Sequence, residues 1–460
     1  MTPTLGLLLA YSALLVVLGL WIGRRARTAE FFVAGRNLGP GLLFSTFLAA
    51  NIGASSTVGA TSLGYSEGLS AWWWNGSAGI GSLVLAFWVG PRMWREASAH
   101  GYLTLGDFLE RHYGRPMRGL VAVLIWLGTL SILAAQLIGI AAVLQVVGGF
   151  SLLTGCAMGA LVTISYFMAG GFLSSAWVNL VQLAVIVAGF GLAVPRAIGA
   201  AGGWAILTAG GGAATDVFHS TGPASGWRLL FLLGPAFIVS PGLLQKAFGA
   251  RDERTVRRGI AWNGVALMAF ACAPAIIGLA AHALYPDLAR TDLALPTLLA
   301  RAFTPALGTL ALAAVFSAEV SSADVVLFML ATSASRDLYR GFVRPSATDG
   351  EVLRVARAAA AVGALCGIGV AMVYGSVRGA VAVFYAILTV TLFVPVIGGL
   401  YVPRAGHRAG LAAVAAGLPV LLGVHLLTGG HGYGIVSPAL AGVLASAAAF
   451  GAARMIGKPK

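Results

Sequence analysis

The chemistry-bearing residues of this sequence concentrate in a few apolar runs. One run reads Phe316-Ser317-Ala318-Glu319-Val320-Ser321-Ser322-Ala323-Asp324. Ala318, Ser321 and Ser322 stand at i, i+3 and i+4, which puts them on one face of a helix. Two hydroxyls and a carbonyl on one face offer oxygen ligands for a small hard cation. Glu319 and Asp324 flank that face on opposite sides, each roughly a third of a turn away at about 100° per residue. Carboxyls inside an apolar run carry functional candidacy by default, because an ionised acid at mid-membrane costs roughly 2.5–3.5 kcal/mol on insertion scales. Their roles stay open at this point: a second cation, a proton, a cationic solute, or hydrogen bonding between packed helices.

Two other runs contain helix breakers at their centres. Leu48-Ala49-Ala50-Asn51-Ile52-Gly53-Ala54-Ser55-Ser56-Thr57 sets Gly among amide and hydroxyl side chains. Phe237-Ile238-Val239-Ser240-Pro241-Gly242 sets Pro and Gly together. Pro removes a backbone donor and Gly loosens the helix. Unwound backbone at membrane depth is tolerated only around a cavity or ion site. Carbonyls released near Ala49 and Ile52 would complete an oxygen set with Ala318, Ser321 and Ser322.

The elements that position these residues follow from composition. Of 460 residues, 10% are charged and 58% hydrophobic, with a mean hydropathy of +0.89. A soluble domain carries roughly 25% charge, so soluble enzymes, disulfide-rich secreted proteins and disordered chains are excluded. Thirteen apolar runs are long enough to cross a bilayer, which takes about 20 residues per helix. They lie near 4–22, 40–65, 71–90, 119–147, 150–169, 173–195, 227–246, 259–285, 306–335, 353–374, 377–402, 409–428 and 433–453. The expected fold is an all-α polytopic membrane protein with thirteen transmembrane helices.

Charge orients the chain. With the N-terminus outside, 24 of the 29 Lys and Arg residues fall on the inner side and 5 on the outer, as the positive-inside rule requires. The C-terminus is then cytoplasmic, in a plasma or inner membrane. The net charge of +14 thus describes topology and gives no reason to expect nucleic acid. Met1–Thr4 carry no basic residue, so the first helix is read as retained rather than as a signal peptide. Cys156, Cys272 and Cys366 each sit in apolar runs, away from any metal-binding spacing. The 63 glycines predict closely packed helices. The breaks lie five spans apart in helices of opposite direction, the sequence pointer to an inverted-repeat transporter.

These residues resemble the sodium:solute symporter family, which includes sodium–glucose, proline, pantothenate and sialic acid transporters. The resemblance runs through Phe31–Arg36, Ala49–Gly53, Leu105–Gly114, Tyr166 with Gly170-Gly171-Phe172, and Ser335–Tyr339. It implies a LeuT-type 5+5 inverted repeat: residues 1–35 as first helix and inner linker, 36–200 and 201–402 as the two five-helix repeats, and 403–460 as two further helices. It also implies a sodium site at the carbonyls of Ala49, Ile52 and Ala318 and the hydroxyls of Ser321 and Ser322. Many members carry an acid in the sixth span where Asn179 stands here; the carboxylate is expected to have moved to Asp324. Solute residues are expected around both breaks and at the outer start of the third span: Asn51, Ser55, Ser56, Trp73, Ser240, Pro241 and Gly242. Trp72–Trp74 are expected as interface anchors.

The function expected is therefore a Na⁺:solute symporter working by alternating access, with Na⁺ as coupling ion and no other cofactor. An amino acid, organic acid or small cation is favoured over a sugar. A buried Arg or Lys for a carboxylate solute is not visible in the sequence. The alternative is a proton-coupled carrier using Asp324 or Glu319. An enzyme is not expected, since only His282 and His425 lie within spans and no nucleophile–base set shares one depth.

Overall fold

The computed structural model describes residues 3–23, 38–209, 211–218, 228–403 and 406–456. In chain order the main helices are α1 (Pro3–Gly23), α2 (Pro40–Asn51), α3 (Ala60–Glu67), α4 (Trp72–Val84), α5 (Gly90–His100), α6 (Leu105–Tyr113), α7 (Arg115–Gly148) and α8 (Leu152–Ala200). There follow α9 (Leu229–Val239), α10 (Pro241–Phe248), α11 (Glu253–Phe270), α12 (Cys272–Leu284), α13 (Ala294–Arg301), α14 (Pro305–Thr332), α15 (Asp349–Tyr374), α16 (Val377–Tyr401), α17 (His407–Thr428) and α18 (Pro438–Ile456). Among the described residues the structure is all-helical apart from two isolated bridges.

Nine helices are long and apolar enough to cross a membrane, or ten if one bent pair counts as a span, among the described residues. The count of thirteen is not reproduced by that measure. The second and third expected spans form the bent pair, Pro40–Asn51 with Ser55–His100, at 61°. The first and fifth correspond to shorter apolar helices, Pro3–Leu18 and Leu152–Ser165. The expected spans at 150–169 and 173–195 fall within one continuous helix, Leu152–Ala200. The basic cluster Arg24–Arg36, Arg404 and the terminal lysines lie outside the described residues.

Both predicted breaks exist. α2 ends at Asn51, Ile52 turns extended (φ −95°, ψ 94°), and a π-turn at Ser55–Gly59 leads into α3. In the other, α9 ends at Val239, and Ser240 (φ −55°, ψ 122°) hands the chain to α10, with Pro241 at its first position, where a missing N–H costs nothing.

The broken halves are held at opposite ends. At one end, the Tyr65 hydroxyl donates to Tyr285 O at 2.8 Å and Pro286 O at 2.5 Å, and Leu288 N–H donates back to it at 3.3 Å. Ser62 Oγ donates to Thr291 Oγ1 at 2.6 Å. Arg290 reaches Gly375 O at 2.8 Å, and Val377 N–H donates to the buried Asp292 at 3.3 Å. Burial pushes the Asp292 carboxyl above the usual carboxylate range, against the pull of Val377 N–H and Arg290. Beneath, Gly64 lets α3 press on α12: a Cβ there would lie 2.8 Å from Ala275 O. At the other end, Leu38 N–H donates to Gly249 O at 3.0 Å and Arg251 N–H to Leu38 O at 3.2 Å. The start of α2 is thereby stitched to the end of α10.

Candidate functional site

The ninth-span face and the first break meet. Ser322 Oγ lies 3.0 Å from Ala49 O, 3.2 Å from Ala50 O and 3.1 Å from Ile52 O. Ser321 Oγ lies 3.2 Å from Ala49 O and 3.0 Å from Ala318 O. All five groups picked from the sequence, on two chain segments some 270 residues apart, share one buried spot. The donors are neutral oxygens throughout. That suits a monovalent hard cation, since divalent ions recruit carboxylates. No cluster of three or more His, Cys, Asp or Glu suited to a metal occurs among the described residues.

The break is shaped from α7, which sequence reading did not single out. Gln136 Oε1 accepts from Ala54 N–H at 2.8 Å, satisfying a donor released by the unwinding. Gly53 is required here: a Cβ would lie 2.5 Å from Ser322 Cβ and 2.7 Å from Gln136 Oε1. Glycine alone lets the helix, the serine and the glutamine meet. Thr57, in the π-turn, donates both to Gly53 O at 2.9 Å and to Glu319 Oε1 at 2.8 Å. Glu319 is fully buried, and its Oε2 has no hydrogen-bond partner, resting over Gly139.

Glu319 and Asp324 do part company, as their helical phase predicts. Asp324, also buried, interacts electrostatically with Lys246 of α10. This corrects the sequence reading twice. Lys246 had been placed with the inner-loop charges, and a buried basic side chain had been thought absent; Lys246 is 2% exposed and donates to Thr46 O at 2.6 Å. It closes a short apolar helix with the charges of 251–258, at the start of α11, following at once, and hydropathy does not separate it from them. Asn179 is buried on α8, the helix packed along α14.

The expected solute residues divide. Asn51, Ser240 and Gly242 line one internal cavity of about 50 Å³, with Ala50, Phe237, Val325, Met329, Phe384 and Tyr385 among its walls. Pro241 lines a smaller neighbouring cavity. Asn51 Nδ2 donates to Asn263 Oδ1 at 3.1 Å, and Asn263 donates on to Ser82 Oγ at 3.2 Å. Ser55 Oγ accepts from Trp74 Nε1 at 3.0 Å, Ser56 Oγ donates to Asn51 O, and Ser56 O accepts from Asn75 Nδ2 at 2.9 Å. These serines therefore support the unwound segment. Trp73 stands apart: it donates to Val217 O at 2.9 Å and lines an apolar outer cavity of about 520 Å³ with Trp72, Trp204 and Phe218. The expected interface trio thus spends its indole N–H groups on protein oxygens, Trp72 on Met268 O at 3.2 Å. A cavity of about 50 Å³ has room for a water or two, at roughly 30 Å³ each.

The comparisons with known proteins agree on one kind of molecule. The sequence model of the sodium:solute symporter family matches residues 31–417. The chain is 25% identical over 446 residues to high-affinity choline transporter 1 of Caenorhabditis elegans, covering 90% of this chain and 76% of that protein. It is 22% identical over 464 residues to the sodium/glucose cotransporter of Vibrio parahaemolyticus, covering 90% and 83%. The solved substrate-bound, outward-open structure of a Na⁺-coupled sialic acid symporter superposes with a TM-score of 0.85 at 16% identity, over 99% of this chain and 98% of that one. That likeness is one of fold.

Proposed function

This chain belongs to the sodium:solute symporter family, and from that premise we propose that it carries a small solute across the membrane with Na⁺, by alternating access. The observation that carries the reading is the meeting of the Ser321 and Ser322 hydroxyls with the carbonyls of Ala49, Ile52 and Ala318. Na⁺ bound there would fix the unwound segment of α2 against α14. One charge moving inward across 100 mV supplies about 2.3 kcal/mol, a roughly fifty-fold solute gradient. The reading includes thirteen spans with the N-terminus outside, and repeats at 36–200 and 201–402. Two broken helices whose inner ends are bound to each other support that arrangement.

Of the solute classes left by the sequence, the chamber favours a small organic cation. Its walls bring Phe237, Phe384 and Tyr385 together, with ring centroids 5.6 Å apart for Phe237–Tyr385 and 5.2 Å for Phe384–Tyr385. Aromatic faces attract cations. The similarity to a choline transporter points the same way. Lys246 is engaged with Thr46 and Asp324 and does not line the chamber, so no basic group is offered to a carboxylate.

The test is ligand-dependent thermal stabilisation of the purified protein, with and without Na⁺, over quaternary ammonium compounds, amino acids, organic acids and sugars. Stabilisation by a quaternary ammonium that requires Na⁺, and whose Na⁺ requirement rises at least tenfold in the Ser321→Ala/Ser322→Ala variant, supports the proposal. Wild-type sodium dependence in that variant refutes the site. Uptake driven by a pH gradient in sodium-free buffer would establish the proton-coupled alternative through Glu319 or Asp324 instead.

A further inference from the structure

The chamber of about 50 Å³ has a smaller neighbour of about 10 Å³. The two share Met329, and Pro241 of the smaller one stands between Ser240 and Gly242 of the larger. Met329 rests on Gly242, where a Cβ would lie 2.6 Å from its Sδ. The partition between the cavities is thus a flexible thioether. Pro241 and Gln245 stand one turn apart on α10. Met329, Ser333 and Asp337 follow at intervals of four along α14 and the π-helical turn Ser333–Val343 that continues it. All five line the smaller cavity, with Ile125 of α7.

The polar lining carries acceptors that nothing uses. Gln245 is 5% exposed, and its Oε1 has no hydrogen-bond partner. Asp337 is buried, and Thr104 Oγ1 at 2.6 Å and Arg118 at 3.0 Å both bond its Oδ1, so Oδ2 takes no hydrogen bond among the described residues. Ser333 spends its hydroxyl hydrogen on Ala122 O at 3.1 Å and keeps its lone pairs. Buried acceptors without donors cost free energy and call for an explanation. Arg118 seals the cavity at the Asp337 end. Its guanidinium holds Asp337 at 3.0 Å, Asp107 at 3.2 Å and Glu110 at 2.6 Å. Beyond it opens a wide pocket of about 850 Å³, lined by Asp107, Glu110, Arg118 and Arg336.

We propose that the small cavity is a transit site for a small organic cation, which leaves the chamber past Met329 and is taken by Gln245 Oε1 and the Asp337 carboxylate before its release into the wide pocket. The inference rests on the organic-cation reading above. The cavity is collapsed here and widens as Arg118 lets go of Asp337. Three carboxylates share that one guanidinium, so Arg118 keeps Asp107 and Glu110 while Asp337 exchanges it for the solute. One cation replaces another, and no buried charge is left bare. The apolar surface of Ile125, Pro241 and Met329 beside these acceptors suits a cation that carries methyl groups.

The test separates passage from binding, with choline as the probe and the purified full-length protein in liposomes. Gln245→Met removes the unspent acceptor at similar volume. It should raise the thermal midpoint without ligand, yet lower the maximal rate of choline uptake. Asp337→Asn keeps the shape and removes the charge; its maximal rate should fall about tenfold, for the loss of one charge-assisted hydrogen bond to the passing cation. In both variants the choline concentration for half-maximal thermal stabilisation should match the wild type, because the chamber is untouched. Thr104→Val weakens the seal with the acid in place and should raise the maximal rate. A fall in Thr104→Val equal to that in Asp337→Asn would show that the acid serves the seal alone, and overturns the inference. So do unchanged maximal rates in Gln245→Met and Asp337→Asn. So does slowing confined to ²²Na⁺ exchange measured without choline, which would make sodium the passing cation. Should Asp337→Asn fail to fold, Gln245→Met decides. A wild type that neither binds nor takes up choline refutes the organic-cation reading itself.

Discussion

Substituting Gly53 by Ala tests the geometry of the break with a single methyl. The added Cβ would lie 2.5 Å from Ser322 Cβ, 2.7 Å from Gln136 Oε1, and closer still to Ser322 Oγ. Carbon atoms pack at about 3.5–4.0 Å, so α2 and α14 must separate by about 1 Å where the five oxygens converge. Overpacking of this size costs about 1–3 kcal/mol. Strain confined to the conformation that gathers the oxygens would raise the Na⁺ half-saturation roughly 5- to 150-fold, at about 1.4 kcal/mol per factor of ten. The assay is a Na⁺ titration read as the midpoint of thermal unfolding. Gly53→Ala/Ser322→Gly separates packing from ligation. Deleting the serine side chain makes room for the methyl and should restore stability without Na⁺, but not the response to Na⁺. Gly53→Ala with the wild-type midpoint and half-saturation would refute the argument that Gly53 is there to let the helix and the serine meet.

Three further outcomes follow from single contacts. Glu319→Gln keeps the volume and an acceptor for Thr57; Na⁺-driven uptake should stay within about fivefold of wild type, since no more than one hydrogen bond worth about 1 kcal/mol is altered, whereas abolished uptake would show that Glu319 carries the coupling proton. Tyr65→Phe removes the hydroxyl that joins Tyr285, Pro286 and Leu288. At about 0.5–1.5 kcal/mol the closed outer state should lose roughly 2- to 13-fold in population, seen as faster amide hydrogen exchange across 285–292; unchanged exchange would remove Tyr65 from the outer seal. Asp252 caps α11, accepting from Thr255 N–H at 2.6 Å, and that bond holds its carboxyl below the usual range. Asp252→Ala should cost about 1 kcal/mol. Because the folded-state pKa is depressed, the advantage of the native carboxylate over the amide of Asp252→Asn is present above the unfolded value of about 3.9. It fades as pH falls through the folded one, so thermal midpoints of wild type and Asp252→Asn should converge in acid.

What the sequence disclosed and what it concealed divide along a physical line. Ala318, Ser321 and Ser322 were legible because helical phase is local, and the breaks at Ile52–Ala54 and Ser240 because Pro and Gly act on their own backbone. The face and the break are distant in sequence; the oxygens a cation needs suggested their meeting, and the resemblance to the family implied the same set. Gln136 escaped notice because one amide in a long apolar helix has no phase to mark it; its meaning comes from Ala54 N–H, a donor that exists only once the helix unwinds. Lys246 escaped for the opposite reason, since it sits close to the charges of 251–258, most of them on the first turns of α11. Trp73 was misplaced because the outer start of the third span leans on Val217, in a connecting segment whose position no periodicity encodes.

The arrangement bears on how ion and solute would be coupled. Ala50 lends its carbonyl to the Ser322 cluster and its side to the central chamber; Asn51 lines the chamber, and its neighbour Ile52 faces Ser322. Four consecutive residues, Ala49 to Ile52, therefore serve the two places between them, with Ala50 in both. An ion that fixes the orientation of Ala49 and Ile52 cannot leave Ala50 and Asn51 free to move. Coupling between the two sites then needs no long chain of intermediates: the unwound segment is the shared element, and whatever free energy Na⁺ spends ordering it is available to the solute. By linkage the solute must return the same factor, tightening Na⁺ as much as Na⁺ tightens it. Leu38 and Lys246 join this segment's helix to α10, and Ser240 and Gly242 at the head of α10 line the chamber too, so these two parts of its lining are tied to each other while α7, α9, α14 and α16 supply the rest. On the proposed reading, ordering of the α2 break by Na⁺ would thus reach the start of α10 without any contact between the ion and the second break.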